Sequence, residues 1–258
     1  MTVALGTLAA EAHAAGSLLL LDAPPADVTW SAGLSARGWP RAPGSSRQRE
    51  MLLPALDYES PSGVFAATDS GLGWNLSPRL LDAESAKVWQ FGGRLWPESG
   101  RSRHASPPGV ERLGSRIVTE LFANAQVLPE LLIQSGLSWG SGRHHNGDQL
   151  EIGATSGIPI GENVLGITVA ASYANAAHQR GSFGIGARES LASGLPVFKA
   201  HSGWQDWSIG LSAEHKLSES WSVNGQWLHA RLIDQPAHSP LTKSADQPSF
   251  IVSIWRKF

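Results

Sequence analysis

Cysteine is absent from the 258 residues. Disulfides, zinc–thiolate sites and cysteine nucleophiles are thereby excluded. The absence also suits a chain that crosses an oxidising compartment unfolded. Charge is scarce. Asp, Glu, Lys and Arg make up 16% of the chain, against about 25% in an ordinary soluble domain. The net charge is -2, so there is no electrostatic argument for binding nucleic acid. Tyrosine is scarce too, two residues against eleven tryptophans. No apolar run reaches the roughly 18 residues of a transmembrane helix. The longest candidate, 17–21, stops at Asp22, Pro24 and Pro25.

What remains is an apolar share of 41% and 28 glycines, with Ser, Asn, Gln and Thr supplying the polarity that charge does not. Period two recurs along the chain. Val28, Trp30, Ala32, Leu34 and Ala36 alternate with small residues. In 206–216, Trp207, Ile209, Leu211 and Ala213 face one way and Ser208, Gly210, Ser212 and Glu214 the other. The same holds for Trp221, Val223 and Trp227, and for Leu165, Ile167, Val169, Ala171 and Tyr173. Weaker alternation marks 48–57, 63–76, 86–97, 115–125, 131–142 and 148–157. Strict alternation predicts strands with one apolar and one polar face. A soluble sandwich would carry Lys and Glu on its polar face. Here that face is Gly, Ser, Asn and Gln, which suits a lumen, with the apolar face on lipid. Tryptophans near strand ends, such as Trp139 and Trp221, suit the membrane interfaces.

The connections fit as well. Counted back from the C-terminus, 233–247, 188–205 and 98–114 are long and fall on one side. The stretches 215–221, 157–163 and 126–130 are short and fall on the other. Barrels of bacterial outer membranes pair short turns with long loops in this way. The chain therefore predicts an all-β, antiparallel transmembrane β-barrel of about 10–12 strands, even in number. The alternation itself counts eleven. The missing strand is expected either where 63–76 divides around "TDSG" or in 178–187. The segment 109–126 has a loose helical pattern in Leu113, Ile117 and Leu121 and is read as a strand. Residues 27–258 form one domain. Val3–Ala10 followed by Ala12-His13-Ala14 resembles an export signal over 1–14 that lacks its basic start, with 15–26 as a periplasmic segment.

Several stretches, taken in order, resemble the MipA/OmpV family of outer-membrane proteins. The strongest is "GSFGIGARESLASGLPVFKAHSG" (181–203), followed by a tight turn before Trp221 and "SPLT" (239–242). A second is 37–76, with its Trp39-Pro40 loop, a Leu53-Pro54 strand and Gly71-x-Gly73. A third is "FGGRLWPESGRSR" (91–103). The family favours Tyr where this chain has Trp, and its last strand ends aromatic-Arg-Phe where this chain ends "WRKF". On that comparison Lys257 is an insertion, and removing it would restore the spacing. The resemblance implies no catalytic residues, cofactor or metal. It implies contact with outer-membrane lipid and lipopolysaccharide, and assembly by the barrel-assembly machinery, with Phe258 as the assembly signal. The founding member is described as a scaffold joining a lytic murein transglycosylase to a murein synthase.

His144, His145 and Asp148 lie around an Asn146-Gly147 hairpin signal, where a strand would aim adjacent histidines apart. Arg101, Arg103 and His104 fall in a long loop, either simply solvated or meeting lipopolysaccharide phosphates. Arg94, Glu120 and Glu151 are charges on otherwise apolar strands, expected to face inward and pair, plug the barrel or tune a pore. No G-x-S-x-G elbow occurs. Three functions stay open: a structural scaffold, a pore or small-molecule-binding barrel, and an outer-membrane hydrolase.

Overall fold

The computed structural model describes residues 25–258 apart from 83, 99, 103, 104 and 162. The candidate signal over 1–14, most of the segment 15–26, and Arg103 and His104 lie outside the described residues.

Twelve strands close into one antiparallel barrel, each hydrogen-bonded to its sequence neighbours, with the first joined to the last. They are β1 (Thr29–Pro40), β2 (Gln48–Glu59), β3 (Val64–Ala67), β4 (Gly71–Asn75), β5 (Trp89–Glu98), β6 (Arg116–Leu128), β7 (Leu131–Ser141), β8 (Gly147–Ile160), β9 (Asn163–Ala174), β10 (Gly203–Lys216), β11 (Trp221–Leu232) and β12 (Asp246–Lys257). The twelfth strand comes from the split of 63–76. The chain turns at 68–70 and re-enters the sheet at Gly71, whose φ of 80° is a conformation that favours glycine. The alternative site, 178–187, is not a strand. Ala176–Phe183 forms helix α3, started by the Asn175 side chain, which accepts the His178 N–H. Gly181 of this helix lies so close to Gly142 that a Cβ would sit 2.8 Å from its Cα. The doubtful 109–126 segment is strand β6 from Arg116 on.

The connections separate by end. One end carries the start of β1, the C-terminus and the turns after β2, β6, β8 and β10. The other carries 41–47, 68–70, 99–115, 142–146, 175–202 and 233–245. One connection at the terminal end breaks the pattern. Residues 76–88 hold two short helices, α1 (Ser77–Leu80) and α2 (Ser85–Val88), so the strand expected from 86 begins at Trp89. Asp82 organises this connection, accepting from the N–H groups of Glu84 and Ser85 and from the Ser85 hydroxyl. The long-loop end adds α4 (Ala187–Ser193) and α5 (Asp234–His238).

Outward side chains form an apolar band. Leu34, Leu52, Leu95, Ile117, Leu121, Leu165, Leu211 and Val252 are all exposed. An apolar belt around a whole molecule is not a surface that water tolerates, whereas in a bilayer it is the lipid face. Eight of the tryptophans face outward and gather near the two rims. Trp30, Trp74, Trp89 and Trp221 lie toward the terminal end, and Trp139, Trp204, Trp207 and Trp227 toward the long-loop end. Trp30 packs on Tyr58 at 4.6 Å and Trp204 on Tyr173 at 5.7 Å between ring centroids. Trp39, Trp96 and Trp255 face inward and are buried. No described helix is long and apolar enough to cross a membrane; the strands do the spanning.

The wall is uneven. Strands β3 and β4 have four and five residues, a rise of about 15 Å, against about 40 Å for the 12 residues of β2. Pairing of β2 with the β3–β4 hairpin ends at Leu56, whose N–H donates to Thr68 Oγ1 and whose C=O accepts the Thr68 N–H, both at 2.9 Å. Among the described residues, no backbone bond joins 49–55 to any strand but β1. Pro54 is in phase with Leu56, so the N–H it lacks would have pointed to that open edge. This is where a strand tolerates proline.

Candidate functional site

The barrel is inside out: its apolar residues meet the exterior and its polar residues fill the centre. Burying polar groups is costly unless each finds a partner, and the lumen supplies partners. Arg94 on β5 and Glu120 on β6 are directly paired in the register. The guanidinium forks onto the carboxylate at 3.0 and 2.9 Å and also donates to Ser70 O at the tip of the short hairpin. Arg37 faces Asp69 of the same tip at 3.8 Å. Across the lumen, Glu151 on β8 lies in the field of Asp206, Glu120 and Arg94. Thr155 donates to Gln134 at 2.6 Å and meets Thr168 at 2.9 Å. Ser35 and Ser253 link β1 to β12 at 2.6 Å. Phe65 and Phe122 add an edge-to-face pair inside the wall, 6.3 Å apart. Arg94, Glu120, Gln134, Glu151, Thr155 and Asp206 are all buried, so the middle of the lumen is packed with side chains.

The inward orientation expected of Arg94, Glu120 and Glu151 is therefore found, and the first two pair. Asp206, in phase with Ser208 and Gly210, also points inward, although it was not among the expected lumen charges. A bulge between Trp204 and Asp206 puts two consecutive residues, Gln205 and Asp206, on the buried side. The Asp206 Oδ1 has no hydrogen-bond partner among the described residues.

Loops close the long-loop end over this network. Arg116 pairs with Glu98 and donates to Gly142 O. Ser141 Oγ lies 2.6 Å from His178 Nδ1 on α3. Burial pushes the His178 imidazole below its ordinary range, and Glu98 partly restores it. This pair, with Glu98 and Asp148 nearby, has the residue types of a hydrolytic site, and no local sequence signal marks it. Ser141 is only 2% exposed and His178 4%, so the pair is buried beneath the loops.

Arg101 is buried. It is neither solvated nor free to meet phosphates, being 2% exposed. Its guanidinium donates to Ser182 O at 2.8 Å, and also to Ser106 Oγ and Glu111 O. It ties the 99–115 loop to the end of α3. Burial, and then the charge of Arg143, bring its pKa down to about 10. His144, His145 and Asp148 do not converge. His145 adopts φ 56° and its ring meets Gly140 O, Asp148 accepts from Asn175 Nδ2 at 2.7 Å, and His144 lines a loop cavity. Among the described residues no three His, Asp or Glu side chains are grouped to hold a metal ion.

The chain terminus has a defined place. Ser31 pairs with Lys257 and Gly38 with Phe250 along the β1–β12 seam. The Phe258 N–H donates to Trp30 O at 2.9 Å. Phe250, Val252, Ile254 and Arg256 point outward, and Phe258 continues their phase with 70% of its surface exposed. Arg256 lies over the rings of Trp221 and Phe258, at 5.9 and 5.0 Å. Trp255 points into the lumen. Lys257 is thus in register with Ser31 and is not an insertion that displaces the strand.

The barrel is similar to the NanC porin, with a TM-score of 0.46 and 10% identity over 87% of this chain and 100% of that one. It is similar also to Salmonella typhi OmpF in complex with daunomycin, with a TM-score of 0.40 and 8% identity over 90% and 97%. No curated protein matches in sequence. The family model described as MltA-interacting protein MipA matches residues 32–258. From β1 to Phe258, the chain belongs to the MltA-interacting protein MipA family.

Proposed function

We propose that this protein is a non-enzymatic barrel of the Gram-negative outer membrane and serves as a structural and docking component of the envelope. The observation that carries the reading is the packed lumen. A conducting pore needs solvated inner walls, whereas the Arg94–Glu120 pair is buried at mid-barrel. The sealed Ser141–His178 pair argues in the same direction against the hydrolase. The apolar band and aromatic rims support a place in the bilayer, among lipid and lipopolysaccharide. Export through a signal over 1–14 and insertion by the barrel-assembly machinery, reading Phe258, belong to the same proposal.

The family's description, MltA-interacting protein, supports a partner in murein turnover. A lytic murein transglycosylase and a murein synthase are the partners proposed here. Such partners would work from the periplasm, at the terminal end. There the 76–88 connection is the one that is more than a turn. It presents exposed Leu80 and Val88 beside the charges of Glu84 and Lys87, and it is the docking element proposed. Cross-linking in intact envelopes tests this. A murein transglycosylase should co-purify with the barrel, and replacing 77–87 by a short turn should abolish the link while heat-modifiable gel mobility persists. Steady porin-sized conductance in planar bilayers, with no cross-linked murein enzyme, would overturn the reading.

A further inference from the structure

The strongest family resemblance, 181–203, is left without a role by a scaffold function, yet it builds a cavity. A space of about 260 Å³ lies at the long-loop end between the 142–146 loop and the α3–α4 segment. Its frame is fixed by several contacts. Ile185 and Phe198 exchange both backbone hydrogen bonds at 3.0 Å. Ile185 packs with Val110 and Leu241, against which Leu195 and Phe198 also lie. Arg143 forks to Glu111 at 3.2 Å and Glu189 at 2.7 Å, tying three loop segments together. Burial opposes the Glu189 carboxylate. The Arg143 hydrogen bond and the N–H groups of Gly186 and Glu111 outweigh it and hold the group below its usual range. Glu189 is therefore committed to Arg143 and to the loop.

The remaining charge around the cavity is positive. Arg180 and Lys199 line it, and among the described residues neither forms an ion pair. Arg143, already neutralised by Glu111 and Glu189, and His144 also line it. Between the cations the lining is apolar, from Phe198, Ala177 and glycine backbone. An apolar pocket with a few convergent charged groups is the usual form of a small-molecule site.

We propose that this cavity binds a small organic anion, a phosphate or carboxylate head held by Arg180 and Lys199 and an apolar body lying against Phe198 and Ala177. The inference is independent of any murein partner. The head can be carried by a free solute or by the headgroup of an anionic lipid, and the chemistry of recognition is the same.

Phenyl phosphate is the probe, titrated by calorimetry and saturation-transfer NMR against the full chain in phosphatidylcholine nanodiscs. Binding is expected below about 10 mM, tighter than inorganic phosphate because the ring adds apolar contact. Lys199→Gln with Arg180→Gln should weaken it roughly tenfold or more, since both charge-assisted bonds are lost. Phe198→Ala should remove the preference over inorganic phosphate. Heat-modifiable mobility confirms that each variant is folded, and Lys199→Gln alone, at an exposed position, gives a partial loss if the double variant does not fold. Discs doped with lipid A identify the source. Competition with phenyl phosphate points to a lipid headgroup, and unchanged affinity points to a free solute. Absence of phenyl phosphate binding to the wild type, or equal binding by the folded charge-removed variant, would overturn the proposal.

Discussion

Removing one partner of the Arg94–Glu120 pair should distinguish a packed lumen from a wet one, and the two partners should not cost the same. Arg94 is the cation of this neighbourhood, and Glu120, Glu151 and Asp206 are the surrounding acids. Arg94→Met leaves those carboxylates facing one another with no compensating charge. Breaking a buried pair in this way costs about 3–5 kcal/mol. Glu120→Gln removes one negative charge but keeps an acceptor for the guanidinium. The cost should be about 1–2 kcal/mol, that of a weakened hydrogen bond to a charge. The double variant Arg94→Met/Glu120→Leu removes both charges and should fall well short of the Arg94→Met and Glu120→Leu costs added together. A coupling of about 2–3 kcal/mol is expected for groups in contact. Urea unfolding and refolding in lipid vesicles at neutral pH measures all four. If water filled the lumen, the pair would behave as an exposed one worth about 0–1 kcal/mol. Small, equal and additive costs would refute the packed-lumen argument, and with it the case against a pore.

Three further outcomes follow from the same geometry. Leu211, half exposed on the lipid face of β10, should cost about 2–4 kcal/mol as Leu211→Arg near the bilayer midplane, whereas inward-facing Ser212→Arg should be tolerated better in vesicle refolding; equal losses would place both faces in protein. His178 has its folded pKa lowered by burial, so the unfolded state binds the proton more readily, and stability is lost as pH falls below the ordinary histidine value of about 6.5. Protease nicking of 184–202 should rise over that window in the wild type and be blunted in His178→Gln; an unchanged pH profile in the variant would sink the assignment. Deleting Phe258 should reduce insertion in cells but barely affect detergent refolding, since one end residue contributes about 1.5–3 kcal/mol at most, and a deletion that inserts normally would show that its terminal place is incidental.

Much of the fold was legible because a barrel wall imposes period two on nearly every strand. Leu165, Ile167 and Val169 keep that phase without interruption, so β9 could be read directly. Strands β3 and β4 are too short to establish a period, and together they passed for one. Helix α3 was hidden for a different reason. Of its five buried residues only Phe183 is apolar, the others being His178, Gln179, Gly181 and Ser182, so no apolar stripe marks it. The lumen site was half visible. A charge such as Arg94 stands out on an apolar strand, and Asp206 shares the inward phase of Ser208, but Gln205 owes its inward orientation to a bulge, and bulges shift phase without a fixed residue signature. Arg101 and the Ser141–His178 pair depend on contacts between segments 37 to 81 residues apart, which local pattern does not encode.

The terminal register shows where comparison by spacing and comparison by phase diverge. Counted as letters, "WRKF" has one residue too many, and deleting Lys257 restores aromatic-Arg-Phe. Counted by side-chain direction, Ile254, Arg256 and Phe258 already form the outward row, and Trp255 belongs to the lumen. A one-residue shift in a strand exchanges its two faces. Deleting Lys257 would carry the terminal phenyl ring to the position opposite Ser31, on the inner face, and separate it from the Arg256 guanidinium. The deletion should therefore impair insertion as much as loss of Phe258 does, the reverse of what spacing alone predicts. Replacing Lys257 by Ser keeps the phase and should be silent. Normal insertion of the Lys257 deletion in cells, read by heat-modifiable mobility, would mean that the assembly signal is recognised by spacing from Trp255 and not by the face on which the terminal phenyl ring is presented.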